Sequence, residues 1–186
     1  MIETERLILR PWQDRDRVPF AAMGQDALVM RYLGPLQSRT ETDAAIDRMI
    51  ELQVALNHCF WAIERRVDAA FLGFCGLKPG PDRTPIAGGI EIGWRLASAH
   101  WRQGYAREAA QASLEWGWEN LIDTAILAMT VAANAASWGL MDRLGMYRQP
   151  ALDFDHPGVP EGSPLRRHMI YRIDRPANRH FINQKA

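Results

Sequence analysis

The chain has 186 residues, 47% of them hydrophobic and 24% charged, with a formal net charge of zero. That balance suits one domain with a full-sized core, and the absence of a basic excess argues against a protein built to hold nucleic acid or an anionic membrane. No run approaches the roughly 18 apolar residues of a membrane span, and MIETERLILRPW lacks the continuous apolar core of a signal peptide.

ERLILRPW (5–12) reads as a first strand, with Pro11 confining its end to an edge or exit. RDRVPFAAMGQDALVMRYLG reads as short helices broken by Pro19 and ended near Gly34. Thr40 with Asp43 gives a capping-box pattern, and Ile46, Met49, Ile50 and Val54 follow at helical spacing, so a helix is expected over about 41–57. CFWAIERR (59–66) and AFLGFCGL (70–77) form an antiparallel hairpin with a polar turn at Asp68. Cys59 and Cys75 lie in these runs without metal-ligand or redox spacing, and read as small core side chains in a reducing, cytoplasmic setting. Trp12, Trp61 and Trp94 also read as core. KPGPDRTPIAGG is a breaker-rich loop. GIEIGWRLA (89–97) is a strand, and AREAAQASLEWGWENL a helix packed through Ala110, Leu114, Trp118 and Leu121. AILAMTV (125–131) suits a strand buried on both faces. AASWGLMDRLG is a short helix stopped by Gly145. MYRQP and LRRHMIYRI (165–173) are strands around the polar loop DFDHPGVPEGSP. The pattern predicts a single α+β (mixed α/β) domain over 1–175 and a polar tail over 176–186.

The junction WRQGYAREAA (101–110) joins a strand to a helix without a Ser, Thr, Asp or Asn cap. The first N–H groups of a helix have no partner inside it, and its dipole adds partial positive charge there. Gly104 lets an anion approach the backbone, Ala106 keeps the surface small, and Arg102 and Arg107 add positive charge. A diphosphate would satisfy these donors. An ordinary turn capped by water is the other reading. The pattern fits neither a Walker loop nor the dinucleotide fingerprint.

EIGWRLASAHWRQGYAREAA resembles the acetyl-CoA-binding segment of the GNAT acetyltransferase superfamily. With TERLILRPW, NAASWGLMDRLGMYR and RRHMIYRI, in that order, the chain is most similar to the RimJ/RimL-like branch, the ribosomal-protein alanine N-acetyltransferases. The resemblance covers about residues 2–173. It implies a central, mostly antiparallel sheet splayed between its fourth and fifth strands, here 89–97 and 125–131, with acetyl-CoA in the splay. It places the pantetheine amides near Trp94 and Leu96 and the diphosphate on the N–H groups of Gln103, Gly104, Tyr105, Ala106 and Arg107, beside Arg102. Trp101 stands where the family loop often has Gln or Arg.

By the same resemblance Asn134 hydrogen-bonds the cofactor arm, although it also reads as a helix N-cap. Many members carry a proton-donating tyrosine seven residues later; this chain has Met141. Ser137 is the replacement acid, with a plain first-turn serine as its alternative. Glu91 shares a strand face with Gly93. A carboxylate on an apolar strand must be paired or wet, so Glu91 is either the base for the incoming ammonium or one half of an ion pair with an arginine such as Arg95. The position five residues before Asn134, where some members have a glutamate, holds Met129. His100, His156 and His168 are weaker site candidates, and Trp138 a candidate wall of the thioester end. No histidine pair has metal-ligand spacing, and no metal is expected.

The expected activity is direct acetyl transfer to a primary amine, with a protein N-terminal α-amine as the branch's acceptor. A small-molecule amine acetyltransferase and a non-catalytic acyl-CoA-binding module are the rivals. Neither membrane nor nucleic-acid binding is expected, and the chain would act as a monomer or homodimer.

Overall fold

The computed structural model describes residues 1–177. All but the first two residues of the expected polar tail lie outside them.

A nine-stranded sheet runs in the order β1-β2-β3-β4-β5-β6-β9-β7, with β8 paired to β9. Its strands are β1 (Ile2–Glu3), β2 (Leu7–Arg10), β3 (Phe60–Arg65), β4 (Phe71–Pro79), β5 (Ile90–Leu96), β6 (Ala125–Val131), β7 (Tyr147–Arg148), β8 (Phe154–Asp155) and β9 (Arg167–Asp174). The helices are α1 (Arg17–Gly24), α2 (Ala27–Met30), α3 (Arg39–Leu56), α4 (Tyr105–Asn120) and α5 (Ala135–Arg143). Two short strands, β1 and β8, were not expected: each is two residues long, too short for an alternating pattern to register. With β1 counted, the splayed pair is β5 and β6.

Two local expectations are corrected. Helix α3 begins at Arg39, two residues before the expected start, because Ser38 and not Thr40 is its cap: Ser38 Oγ accepts from Glu41 N–H, and Glu41 accepts from Ser38 N–H. Pro19 does not break a helix. It is the third residue of α1, in the first turn, where a missing N–H leaves no intrahelical bond unmade.

Side-chain alternation divides the sheet into two faces. Helix α4 lies on one. A Cβ on Gly117 would fall 2.6 Å from Leu77 Cδ1 and 3.0 Å from Ile126 Cδ1, so this glycine lets α4 sit close across β4 and β6. Ser113 of α4 meets Cys75 there, and both cysteines are buried and free. Phe20 of α1 packs edge-on against Phe74 on the opposite face, with Trp12 beside them. That second face also buries Arg10, whose guanidinium binds Asp16 and Glu64 and ties the segment before α1 to the sheet. Such a network is strongly destabilising to break from one side, by about 3–5 kcal/mol.

Strands β5 and β6 run parallel and are bridged only at Ile90↔Ile126 and Glu91↔Leu127. Both continue, β5 to Leu96 and β6 to Val131. The sheet is therefore unbridged along that stretch, from Ile92 and Ala128 onward.

Candidate active site

The mouth of the opening is built by backbone. Gly104 caps α4 at φ 84° with no side-chain hydrogen bond, and Arg102 also lies in the left-handed region at φ 59°. That region is costly for arginine. Alternation of left- and right-handed residues turns successive N–H groups to one side and makes an anion-binding concavity. Among the described residues, none of the N–H groups of Gln103 to Arg107 has a partner within the protein; the first helical bond of the turn is Glu108 N–H to the Gly104 carbonyl, 3.1 Å. These donors fit the diphosphate of coenzyme A.

The side chains around this turn were only partly legible. Arg102 and Arg107 are exposed beside it. Gln103 donates one side-chain N–H to the Ala99 carbonyl, while its backbone N–H has no partner among the described residues. Tyr105 is buried beneath the Arg6 guanidinium, which lies 4.7 Å from its ring centroid. Arg6 itself was missed. It donates to the Gln103 carbonyl at 3.0 Å and to both oxygens of Glu108, which also accepts from Thr4 Oγ1 at 2.6 Å. Glu108 suits the first turn of a helix but would repel an incoming phosphate; Arg6 neutralises it. Arg6, Arg65, Arg66 and Tyr105 also border a cavity of about 380 Å³ beside the turn.

Along β5 the backbone alternates. Ala97 N–H donates to Leu72 of β4, so Leu96, Trp94 and Ile92 turn their N–H and C=O groups the other way, into the opening. The Leu96 carbonyl is already taken by the Trp101 indole at 2.8 Å. Its N–H and both groups of Trp94 remain to pair with amides of a pantetheine arm. Across the opening, Asn134 caps α5, its Oδ1 accepting from Ser137 N–H at 3.4 Å. Its NH₂ group and the Ser137 hydroxyl have no partner among the described residues. Trp138 donates to the Ala132 carbonyl, which turns its ring back toward the end of β6.

The apex lies where the β5–β6 bridges end. Glu91 is there, 7% exposed, on the face away from α4. Its partner is not Arg95 but Lys78, directly opposite on β4, which bonds it as a close ion pair. Arg95 instead donates to Gln37 at 2.9 Å and lies over Phe20 and Phe74. Burial raises the Glu91 carboxyl above the usual carboxylate range, and the Lys78 charge pulls it back part of the way.

On this face Phe20 of α1 reaches as far as Phe74 of β4 and Arg95 of β5. Beyond the opening, Leu127, Met129 and His168 stay half-buried. His168 pairs with Val131, and its ring lies 5.0 Å from that of His156 and 5.7 Å from that of Phe154. Burial lowers both imidazoles, holding them neutral near pH 7. His100 is in the turn before the mouth, not near this pair.

Residues 6–147 match the family described as Acetyltransferase (GNAT) domain. The chain is 31% identical over 156 residues to YoaA, an uncharacterised N-acetyltransferase of Bacillus subtilis, covering 82% of this chain and 85% of that one. Among solved structures, a GNAT-family acetyltransferase of Bacillus anthracis superposes with a TM-score of 0.76 at 23% identity, covering 94% and 98% of the two chains. RimL, a ribosomal L7/L12 α-N-protein acetyltransferase with coenzyme A bound, gives 0.71 at 14% identity, covering 92% and 95%. Spermidine N-acetyltransferase of Vibrio cholerae, bound to CoA and spermine, gives 0.70 at 15%, covering 92% and 97%. The open sheet, the bare helix start beside it and these matches agree: the chain belongs to the GNAT acetyltransferase family and is an N-acetyltransferase that draws its acetyl group from acetyl-CoA.

Proposed function

We propose that the acceptor is the α-amine of a protein N-terminus and that the chain belongs with the RimJ/RimL-like enzymes. The observation that carries this reading is the character of the acceptor face beyond the apex. It is lined by neutral aromatic groups, Phe154, His156 and His168, and the two carboxylates flanking Phe154 each face arginine: Asp153 pairs with Arg148, with its Oδ1 unpartnered among the described residues, and Asp155 lies 3.6 Å from Arg166 and 3.4 Å from Arg167. A multiply charged polyamine needs free carboxylates. A single amine on a peptide needs one base and an apolar, hydrogen-bonding wall.

Acetyl-CoA supplies the activated acyl carbon. Gln103 to Arg107 hold its diphosphate, Trp94 and Leu96 its arm on one side, and Asn134 on the other. Glu91 takes a proton from the amine at the apex. An α-amine, with a pKa near 8, leaves enough neutral form at pH 7 for a base already held in an ion pair. Ser137, whose hydroxyl has no partner among the described residues, hands a proton to the leaving thiolate. Holding amine and thioester in one cleft supplies much of the acceleration. The buried free thiols Cys59 and Cys75 favour a reducing compartment such as the cytoplasm.

Thiol release measured with acetyl-CoA against a panel of N-terminal peptides, polyamines and amino acids tests this. Turnover confined to peptides with a free α-amine supports the reading. Faster turnover of spermidine or another free amine overturns it, and tight CoA binding without turnover of any amine points to a binding module.

A further inference from the structure

Lys78 belongs to no motif that the sequence displays, yet it holds the most consequential contact at the apex. The chain uses arginine for nearly all its cations: of 22 lysines and arginines, only Lys78 and Lys185 are lysines. Lys78 stands on β4 opposite Glu91, its side chain 18% exposed against 10% for Glu91. Its ammonium bonds Glu91 Oε2 and the Pro79 carbonyl, and lies 5.0 Å from the centre of the Phe60 ring on its own face of the sheet. A lysine ammonium is a compact charge on a flexible stem and can meet a carboxylate end-on.

The other charged groups on this face lie elsewhere. Arg95, on β5 with Glu91, is engaged with Gln37. Arg172, opposite Leu127 on β9, is bonded to Asp174. β3 contributes the Phe60 ring, and β6 contributes Leu127. Lys78 is therefore the one charge bonded to Glu91 among the described residues. A carboxylate this buried and unpaired would hold its proton and could not accept another.

We propose that Lys78 is a positioning residue for acetyl transfer: its ammonium keeps the Glu91 carboxylate ionised and fixed at the apex of the cleft. The proposal rests on the reading of Glu91 as the base. The two fail separately. Loss of the Glu91 role leaves the pair as a structural bridge, whereas loss of the Lys78 role leaves Glu91 a base set by something else.

The test begins with free protein carrying ¹³C-labelled glutamate carboxyls, the Glu91 signal being identified by its absence in E91Q. In K78M the Glu91 titration should move up by about 1 to 3 pH units, the size of an adjacent opposite charge. The acid limb of kcat/KM should rise by the same amount, because activity needs the ionised carboxylate. K78R, which keeps the charge, should return both toward wild type. K78Q reads the same quantities if K78M does not fold. An unmoved Glu91 titration in the uncharged variants overturns the proposal. So does a moved titration with an unmoved rate profile while E91Q is inactive. E91Q with wild-type kcat overturns the reading of Glu91, and the proposal with it.

Discussion

At the mouth of the cleft the backbone donors of Gln103 to Arg107 have no partner among the described residues, while at the apex, some strand-length away, Glu91 is already closed on Lys78. The mouth is a set of fixed dipoles waiting for charge. The apex carries its own countercharge and is complete without substrate. An anion at the mouth has no internal competitor for its hydrogen bonds. An ammonium arriving at the apex meets a carboxylate that another ammonium already holds. The first region should thus govern cofactor affinity and the second rate and pH dependence, with little crossover.

The largest expected effect is at the apex. E91Q should lower kcat by about 10²–10⁴-fold, the usual contribution of a general base, while the dissociation constant for CoA, measured by calorimetry, stays within twofold. In wild type, kcat/KM should fall as pH drops through the raised Glu91 pKa, so its acid limb should lie above the ordinary carboxylate range near 4.3. A limb at or below that value would detach rate from Glu91. At the mouth the pattern should invert. Gly104→Val forces a branched side chain into φ 84°, with its Cβ 3.2 Å from Arg6 Nη2, and should weaken CoA by roughly tenfold or more, about 1.4 kcal/mol, with kcat at saturation changed far less. Arg6→Met should weaken CoA by a smaller factor that shrinks in high salt, since it leaves Glu108 unneutralised beside the phosphates. Smallest in stability is Ser137→Ala: the hydroxyl makes no bond among the described residues, so unfolding free energy should change by no more than about 0.5 kcal/mol. A drop in kcat without that shift assigns it to the thiolate, and an unchanged kcat removes it from the mechanism.

What the sequence made legible follows the same division. The mouth depends on local chain: a glycine, a missing cap and a helix period within ten residues, all readable from WRQGYAREAA. The span 125–131 matched β6 because six of its seven residues are apolar, and the run is closed off by the turn at 132–134. The apex depends on register. Lys78 and Glu91 face each other across a loop of ten residues between β4 and β5, too long for turn chemistry to fix the pairing, so Arg95 on the same strand was the nearer guess. Arg6 was illegible for the same reason: it reaches Glu108 from 102 residues away. At α3 the signal was present, as Ser38 with Glu41, but a competing Thr40 with Asp43 pattern two residues on displaced it.

The central claim, that unpartnered backbone N–H groups at the start of α4 take the diphosphate, is tested most directly by following amide ¹H–¹⁵N shifts while titrating the protein with CoA. The amides of Gln103 to Arg107 should show the largest downfield displacement and saturate together at the calorimetric affinity. Saturable binding that leaves those five amides in place, or no binding at all, would contradict it.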